Sequence, residues 1–176
     1  MIRNERETRH QRVMEAVGQM MTAARTAPKA KGIDIIEIVV VEGGDIQTLS
    51  DKTRELGIQN NYEFFLRDAE NILSAEAVLL IGTRRQEQAL NCRHCGFDTC
   101  SDKPQAVPCA INSIDVGIAI GSACAKAADL RLDTRVMFSV GYAAQALDWL
   151  KGCRTVFAVP VSASSKNPFF DRKIQM

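Results

Sequence analysis

The sequence has few histidines and lacks the short motifs of several common enzyme classes. Its two histidines are His10 and His94, and His10 lies in a charged segment where a solvated side chain is expected. The chain contains no G-x-S-x-G nucleophile motif, no P-loop and no G-x-G-x-x-G turn. These absences count against hydrolysis and against a nucleotide held by a glycine-rich loop.

Long apolar runs and concentrated charge are also absent. The formal net charge is +1 and the charged residues are dispersed, which is not the pattern of a nucleic-acid-binding face. No apolar run approaches the roughly 20 residues of a membrane-spanning helix. The N-terminal segment is charged and does not resemble a signal peptide. Six cysteines without an export signal predict a cytoplasmic protein, where a disulfide framework is not expected.

Cysteine is the residue that is concentrated. Four of the six cysteines fall in the eighteen residues from 92 to 109, with the spacing C-x2-C-x4-C-x8-C. They are Cys92, Cys95, Cys100 and Cys109. Thiolates are soft ligands, and four on one loop can enclose a zinc ion or an iron–sulfur cluster. The spacing therefore predicts one metal centre with these four ligands, which Cys124 and Cys153 are not expected to join.

The details of this segment favour an iron–sulfur cluster over zinc. Zinc ribbons usually pair two C-x2-C knuckles, and here only Cys92 and Cys95 form one. His94 lies inside that pair, where it is badly placed to share the metal. Gly96 follows the second cysteine and allows the backbone to approach a bulky inorganic core. We expect a [4Fe–4S] cluster, and the alternative is a structural zinc ion.

Two resemblances support the cluster. The segment CRHCGFDTC (92–100) resembles the CxxCGxxxC four-iron domain of corrinoid iron–sulfur proteins, although the gap to Cys109 is shorter here. A broader resemblance covers most of the chain, because residues 114–123, 133–144 and 159–172 are similar to a bacterial and archaeal family of ferredoxin-domain-containing proteins of unknown function (DUF2148). The family resemblance implies a cluster but no particular reaction.

A further resemblance concerns the fold. The phrase A-x-x-A-P-x-A (24–30), placed before a β-branched run, resembles a loop of the flavin nitroreductase superfamily. It implies an α+β fold with a mixed β-sheet sandwiched by helices, a homodimer, and FMN beside this loop. The residues implied for the flavin are Ala27, Pro28, Lys29 and Lys31, although Lys29 stands where the superfamily has serine. The alternative fold is a doubly wound α/β sheet.

The C-terminal segment contains a second candidate anion or phosphate site. Its serines are followed by Lys166, Asn167 and Arg172, whose side chains suit an anion. A docked tail with polar turns explains the same residues equally well. Phe169 and Phe170 have no local core to join in the sequence pattern, so we expect them to pack on a second subunit.

Hydrophobic periodicity predicts alternating helices and strands along one domain, 1–176, in which the cysteine segment 92–109 is embedded. Helices are expected at 5–27, 45–56, 62–74, 112–130 and 142–150, and strands at 35–41, 77–82, 135–141 and 155–161. The fourth helix is rich in glycine and alanine. Because glycine costs up to about 1 kcal/mol in a helix interior, this composition favours close approach by another helix, a second subunit or a flat cofactor.

Three functions are compatible with these observations. The first is an iron–sulfur protein that transfers electrons or catalyses a redox reaction, with or without a flavin, and with a redox partner that the sequence does not name. The second is a structural zinc protein. The third is an iron–sulfur redox sensor without catalysis. No residue pattern identifies a catalytic side chain, and neither nucleic acid nor a membrane is expected as a partner.

Overall fold

Four antiparallel strands form the central sheet of the computed structural model, which describes residues 2–172. The strands are β1 (Ile36–Val41), β2 (Ala77–Arg84), β3 (Asp133–Thr134) and β4 (Cys153–Ser162), in the spatial order β1-β2-β4-β3. Every strand pair in the described residues is antiparallel, whereas a mixed sheet was expected. The doubly wound α/β alternative is wrong, because it requires parallel neighbours.

Helices cover both faces of this sheet, as the nitroreductase resemblance implied. They are α1 (Glu5–Thr26), α2 (Gly44–Asn60), α3 (Glu63–Ile72), α4 (Ala110–Asp129) and α5 (Phe138–Ala146). Helices α1 and α4 pack together on one face, and α2, α3 and α5 pack on the other. Helices α2 and α3 connect β1 to β2 and return the chain to the edge of the sheet where β1 ends. The start of β2 therefore lies beside the end of β1, with Val78 opposite Val41. That return makes the two strands antiparallel.

Strand β2 is the centre of the core because it is buried on both faces. Val78 and Leu80 pack in the core with α2, α3 and α5, whereas Leu79 and Ile81 pack in the core with α1 and α4. All four side chains are fully buried. This explains why β2 is a continuous apolar run with no polar alternation.

One predicted strand is wrong. Residues 135–141 were expected to be extended, but β3 ends at Thr134 and α5 begins at Phe138. Between them, only Met137 forms a bridge, to Ala158 of β4. The helix is possible because Gly141 brings α5 directly against the backbone of β4, where a Cβ atom would lie 2.2 Å from the Val156 carbonyl oxygen. Tertiary packing has overridden a β-branched pattern here.

The C-terminal segment also differs from its prediction. Phe169 is fully buried in the core with α2, α3 and α5, so it does have a place in its own chain. Its carbonyl oxygen accepts hydrogen bonds of 2.8 Å from Asn71 and from Arg135. Phe170 remains exposed, and the Arg135 guanidinium lies 4.9 Å from its ring centroid. Only Phe170 is therefore available for a contact with a second subunit.

Burial of Cys153 leads to a pH-dependent stability. Burial raises the pKa of this thiol to about 11, with the Glu37 carboxylate adding to the effect and Arg84 opposing it. Because the folded state holds this proton more tightly than the unfolded state, the stabilisation is complete below about pH 9 and is lost as pH rises through 11. The wild type should lose about 2 kcal/mol relative to Cys153→Ala between about pH 8 and about pH 10.5. Urea unfolding of both proteins measures this difference, and parallel pH profiles would contradict it.

Candidate functional site

The cysteine loop, residues 85–109, connects β2 to α4 and surrounds a small cavity. All four clustered cysteines line this cavity, together with side chains such as Phe97 and Ile111. All are free thiols that are partly exposed. Within residues 2–172, however, no three His, Cys, Asp or Glu side chains stand close enough around one point to hold a metal ion. The structure thus brings the four predicted ligands to one cavity without single-ion geometry.

The loop backbone is bent around the cavity by several residues with positive φ. Gly96 has φ 86°, and the non-glycine residues Asn91 and Arg93 have φ 47° and 63°. A left-handed conformation costs a non-glycine residue roughly 1–2 kcal/mol. The bend is fixed by the Asn91 side-chain oxygen, which accepts a 2.8 Å hydrogen bond from the Cys100 N–H. Strained backbone held in place by specific contacts is typical of a binding site.

Cys109 occupies the N-cap position of α4. Its side chain does not cap the helix, and the first turn contains no acidic residue. The positive end of the helix dipole therefore lies beside the Cys109 sulfur without a competing carboxylate. This placement suits a bound group that carries negative charge.

The other two cysteines have a different environment. Neither Cys124 nor Cys153 lines the cavity. Burial raises the pKa of both thiols, which favours their protonated form. They are therefore poorly suited to serve as metal ligands.

A buried carboxylate connects the cysteine loop to the loop that resembles nitroreductases. Asp115 of α4 accepts the Ala30 N–H at 3.2 Å with both oxygens and lies 3.4 Å from the Gln88 amide nitrogen. The Lys31 ammonium donates to the Gln88 carbonyl at 3.1 Å. Three segments that are distant in sequence thus meet at one point beside the cysteine cavity, which Gln88 also lines.

The four residues predicted to bind a flavin lie at this junction but do not all face outward. Ala27 is buried in the core with α1 and α4, and Pro28 is exposed. The Lys29 ammonium donates to the Ala24 carbonyl at 2.8 Å and also to that of Arg25. Burial lowers the pKa of Lys29. This lysine therefore satisfies the C-terminal carbonyls of α1, and Lys31 is the exposed cation of the set.

The remaining predicted residues are held within the tail itself. Lys166 forms an ion pair of 2.7 Å with Asp171, and Arg172 donates to the Phe170 carbonyl at 2.7 Å. Asn167 caps the turn at 168–170 by accepting the Phe169 N–H at 3.0 Å. The turn at 168–170, which these residues flank, packs against α3 and β3, whereas Ala27 packs against the opposite face of the sheet. The structure does not join the two predicted groups into one site in a single chain.

Sequence reasoning missed Asp115 and Gln88, the two residues that organise this junction. Asp115 lies in a small-residue helix, and its partner Ala30 is 85 residues away. Gln88 lies in a polar connector that carries no motif. No local signal marks either residue, because their role arises only when α4 packs beside α1.

Comparison with known sequences identifies the family. The family model for an uncharacterized protein containing a ferredoxin domain (DUF2148) matches residues 105–172. An uncharacterized protein of Archaeoglobus fulgidus is 39% identical over 182 residues, an alignment that covers 98% of each chain. The chain belongs to the DUF2148 family. The predicted resemblance to this family is thereby confirmed, and the three similar segments at 114–123, 133–144 and 159–172 all lie within the residues that the family model matches.

Comparison with solved structures identifies the fold of this DUF2148 protein. A nitroreductase with bound FMN from Bacteroides fragilis has a TM-score of 0.63 at 8% identity, covering 86% of this chain and 77% of that one. A nitroreductase with bound FMN from Desulfitobacterium hafniense has a TM-score of 0.60 at 13% identity, covering 92% and 85%. A BluB-like flavoprotein from Clostridium difficile has a TM-score of 0.53 at 18% identity, covering 86% and 84%. At these identities the comparison establishes a nitroreductase-like α+β fold.

Membrane insertion through a helix finds no support in the fold. Within residues 2–172, no helix combines the length and the apolar character needed to cross a bilayer.

Proposed function

We propose that this protein is an iron–sulfur redox protein in which Cys92, Cys95, Cys100 and Cys109 bind one [4Fe–4S] cluster. The observation that carries the proposal is that all four line the same cavity on a single loop. The ferredoxin-domain description of the family and the redox character of its structural relatives support it. A bound cluster supplies one-electron transfer.

The spacing of the cysteines supports a cluster over a structural zinc ion, because only Cys92 and Cys95 form the C-x2-C knuckle that zinc ribbons use in pairs. With Zn–S bonds of about 2.3 Å, a tetrahedral zinc site holds its sulfurs about 3.8 Å apart. A four-iron cluster binds each thiolate to a different iron, so its sulfurs lie further apart. The N-terminus of α4 beside Cys109 also offsets the negative charge that four thiolates bring.

Partial exposure of the four cysteines suits electron exchange with a partner. A cluster in this loop would lie near the surface, where another redox protein or cofactor can approach it. Anaerobic purification tests the proposal. For a [4Fe–4S] cluster we expect visible absorption at about 400 nm and about four iron atoms per chain. About one zinc per chain without iron would identify the structural zinc protein instead.

FMN is a second candidate cofactor, favoured by the FMN-bound relatives of the same fold. We place it beside Lys31, because this exposed cation lies at the junction with the cysteine loop. FMN titrated into the purified protein should lose fluorescence with a micromolar Kd, and Lys31→Gln should weaken binding. Binding no tighter than millimolar would leave the cluster as the redox centre.

We further propose a homodimer that uses the outer face of α4. Ile114, Gly117, Ile118 and Gly121 lie at helical spacing and are all exposed. Apart from the backbone of α4 itself, no atom of residues 2–172 lies within 4 Å of a Cβ placed at either glycine, so packing among these residues does not explain them. Small residues that open a helix surface allow a second helix to approach closely.

Replacing Gly121 with leucine should separate this dimer. The larger side chain would fill the space that the second helix needs, while its Cβ would meet no atom of residues 2–172 within 4 Å apart from the backbone of α4. Light scattering at micromolar concentration should show a dimer for the wild type and a folded monomer for Gly121→Leu. Gly18→Leu, at an exposed glycine of α1 that is equally open, is the matched control and should remain a dimer. A monomeric wild type would contradict the proposal.

A further inference from the structure

The wall of the cysteine cavity contains a buried positive charge. Lys103 lines the cavity together with Cys92, Cys95, Cys100 and Cys109. Only 5% of the Lys103 side chain is exposed to solvent. Lysine is rarely buried to this extent unless a negative charge compensates its ammonium group, because taking a charge out of water is costly. The groups around Lys103 therefore show how far that charge is compensated within the chain.

The Lys103 ammonium is held in place by the loop that carries it. It donates hydrogen bonds to the Val107 carbonyl at 2.9 Å and to the Pro104 carbonyl at 3.5 Å. It also forms an ion pair of 3.4 Å with Glu87. The Glu87 side chain is 42% exposed, so water screens much of its charge. Glu87 therefore compensates the buried ammonium only in part.

The second cation of the cavity wall lies in a different environment. Arg93 also lines the cavity, and its guanidinium lies 3.4 Å from the Asp98 carboxylate. The Arg93 side chain is 72% exposed, so solvent and salt screen its charge. Lys103 is thus the lining cation whose charge is shielded from water.

We propose that Lys103 is the counter-charge of the iron–sulfur cluster and favours its reduced state. This inference rests on the proposed function. Four thiolates bring negative charge into the cavity, and each electron added to a cluster adds one more negative charge. A fixed positive charge that is shielded from water stabilises the more negative, reduced state. The two carbonyl oxygens hold the ammonium without cancelling its charge, so Lys103 acts through its electric field and not as a ligand.

A purely structural role is the alternative. The hydrogen bonds of Lys103 also close the turn in which the Val107 N–H donates to the Pro104 carbonyl. A residue with only this role would affect how well the loop retains a cluster, but not the reduction potential of a retained cluster. Arginine and glutamine at position 103 separate the two roles, because both side chains can donate to a carbonyl oxygen and only arginine keeps the charge.

Redox titration of the anaerobically purified full chain tests the proposal. Dithionite supplies the electrons, and electron paramagnetic resonance of the reduced cluster reports the midpoint potential. At the effective dielectric constant of about 20 that suits protein sites, Lys103→Gln should lower the ratio of reduced to oxidised cluster about tenfold at the wild-type midpoint. This change corresponds to a shift of about 59 mV for a one-electron couple. Lys103→Arg should keep the wild-type potential.

The matched control is Lys52→Gln. Lys52 is also a largely buried lysine paired with a glutamate, Glu55, but it belongs to α2, on the face of the sheet opposite to α4. Its replacement should leave the potential unchanged. Glu87→Gln tests the same charge from an exposed position where the fold is not at risk. It should raise the reduced fraction, because the Lys103 ammonium loses its carboxylate partner.

Iron is measured in every preparation, so the outcomes are separate. A wild type without iron would overturn the proposed function and the role of Lys103 with it. Equal potentials in the wild type and Lys103→Gln, at equal iron content, would overturn only the role of Lys103, as would an equal shift in Lys52→Gln. If Lys103→Gln retains no iron, Glu87→Gln decides: a raised potential supports the counter-charge, and an unchanged one overturns it.

Discussion

Iron bound to the anaerobically purified protein should fall from about four atoms per chain to below one when Cys95 is replaced with alanine. Cys95 lines the cavity with the three other clustered cysteines, and removing one thiolate leaves one iron of the cluster without its protein ligand. A cluster held at three corners in a partly exposed loop is open to solvent, so it should be lost on purification. Visible absorption should fall together with the iron content.

The matched control for this experiment is Cys124→Ala. Cys124 is a free cysteine of α4 that does not line the cavity, and burial raises the pKa of its thiol. Its replacement should leave iron and absorption at the wild-type level. Equal iron in Cys95→Ala and wild type would remove Cys95 from the ligand set and contradict the proposed centre. A general loss of folding is tested separately by far-ultraviolet circular dichroism.

Gly141→Ala should destabilise the fold by about 3 kcal/mol or more, the upper range for overpacking. The new Cβ would lie 2.2 Å from the Val156 carbonyl oxygen and 2.6 Å from the Phe157 Cα. Both atoms belong to the backbone of β4, which is paired with β2 and cannot move aside cheaply. Because domains of this size are stable by only about 5–15 kcal/mol, the loss is a large part of the total. Urea unfolding gives the difference directly.

The control is Gly18→Ala in α1. This glycine is exposed in the middle of a helix, and apart from the backbone of α1 no described atom lies within 4 Å of a Cβ placed there. Alanine should stabilise the protein by about 0.5–1 kcal/mol, because it favours the helix over the unfolded chain. If glycine-to-alanine replacement lowers the free energy of unfolding at Gly141 and raises it at Gly18, contact with the β4 backbone is the cause of the loss at Gly141. A cost below about 1 kcal/mol at Gly141 would show that α5 can move away from β4.

The features predicted correctly from the sequence are those that depend on residues close together in the chain. The apolar run of β2, the long α1 and the order of helices and strands are each visible in hydrophobic periodicity. The α+β fold followed from a loop phrase at 24–30, and the family followed from longer similar segments in the second half of the chain. The four clustered cysteines were found by spacing alone, and they do line one cavity.

The features that were missed depend on tertiary contacts. Residues 135–141 have the composition of a strand, but Gly141 allows α5 to sit against β4 instead. Phe169 and Phe170 lie among polar residues of the tail, and the burial of Phe169 depends on a core built from α2, α3 and α5. The cavity of about 250 Å³ at the start of α4 is lined by Arg85, Asn112 and Arg154, which come from three distant segments. Periodicity cannot reveal such a site, because it reports only which residues face inward.

The cysteine loop lies outside the paired strands, so the fold can be retained in evolution while this loop changes. The pairing of β2 ends with Arg84 opposite Cys153, and α4 begins at Ala110, so the loop contributes no paired residue to the sheet. A change of length between residues 85 and 109 therefore shifts no strand register. In evolutionary terms the loop is a variable segment between the end of β2 and the start of α4. A lineage with this frame can change the length of this segment without changing which strand residues are paired.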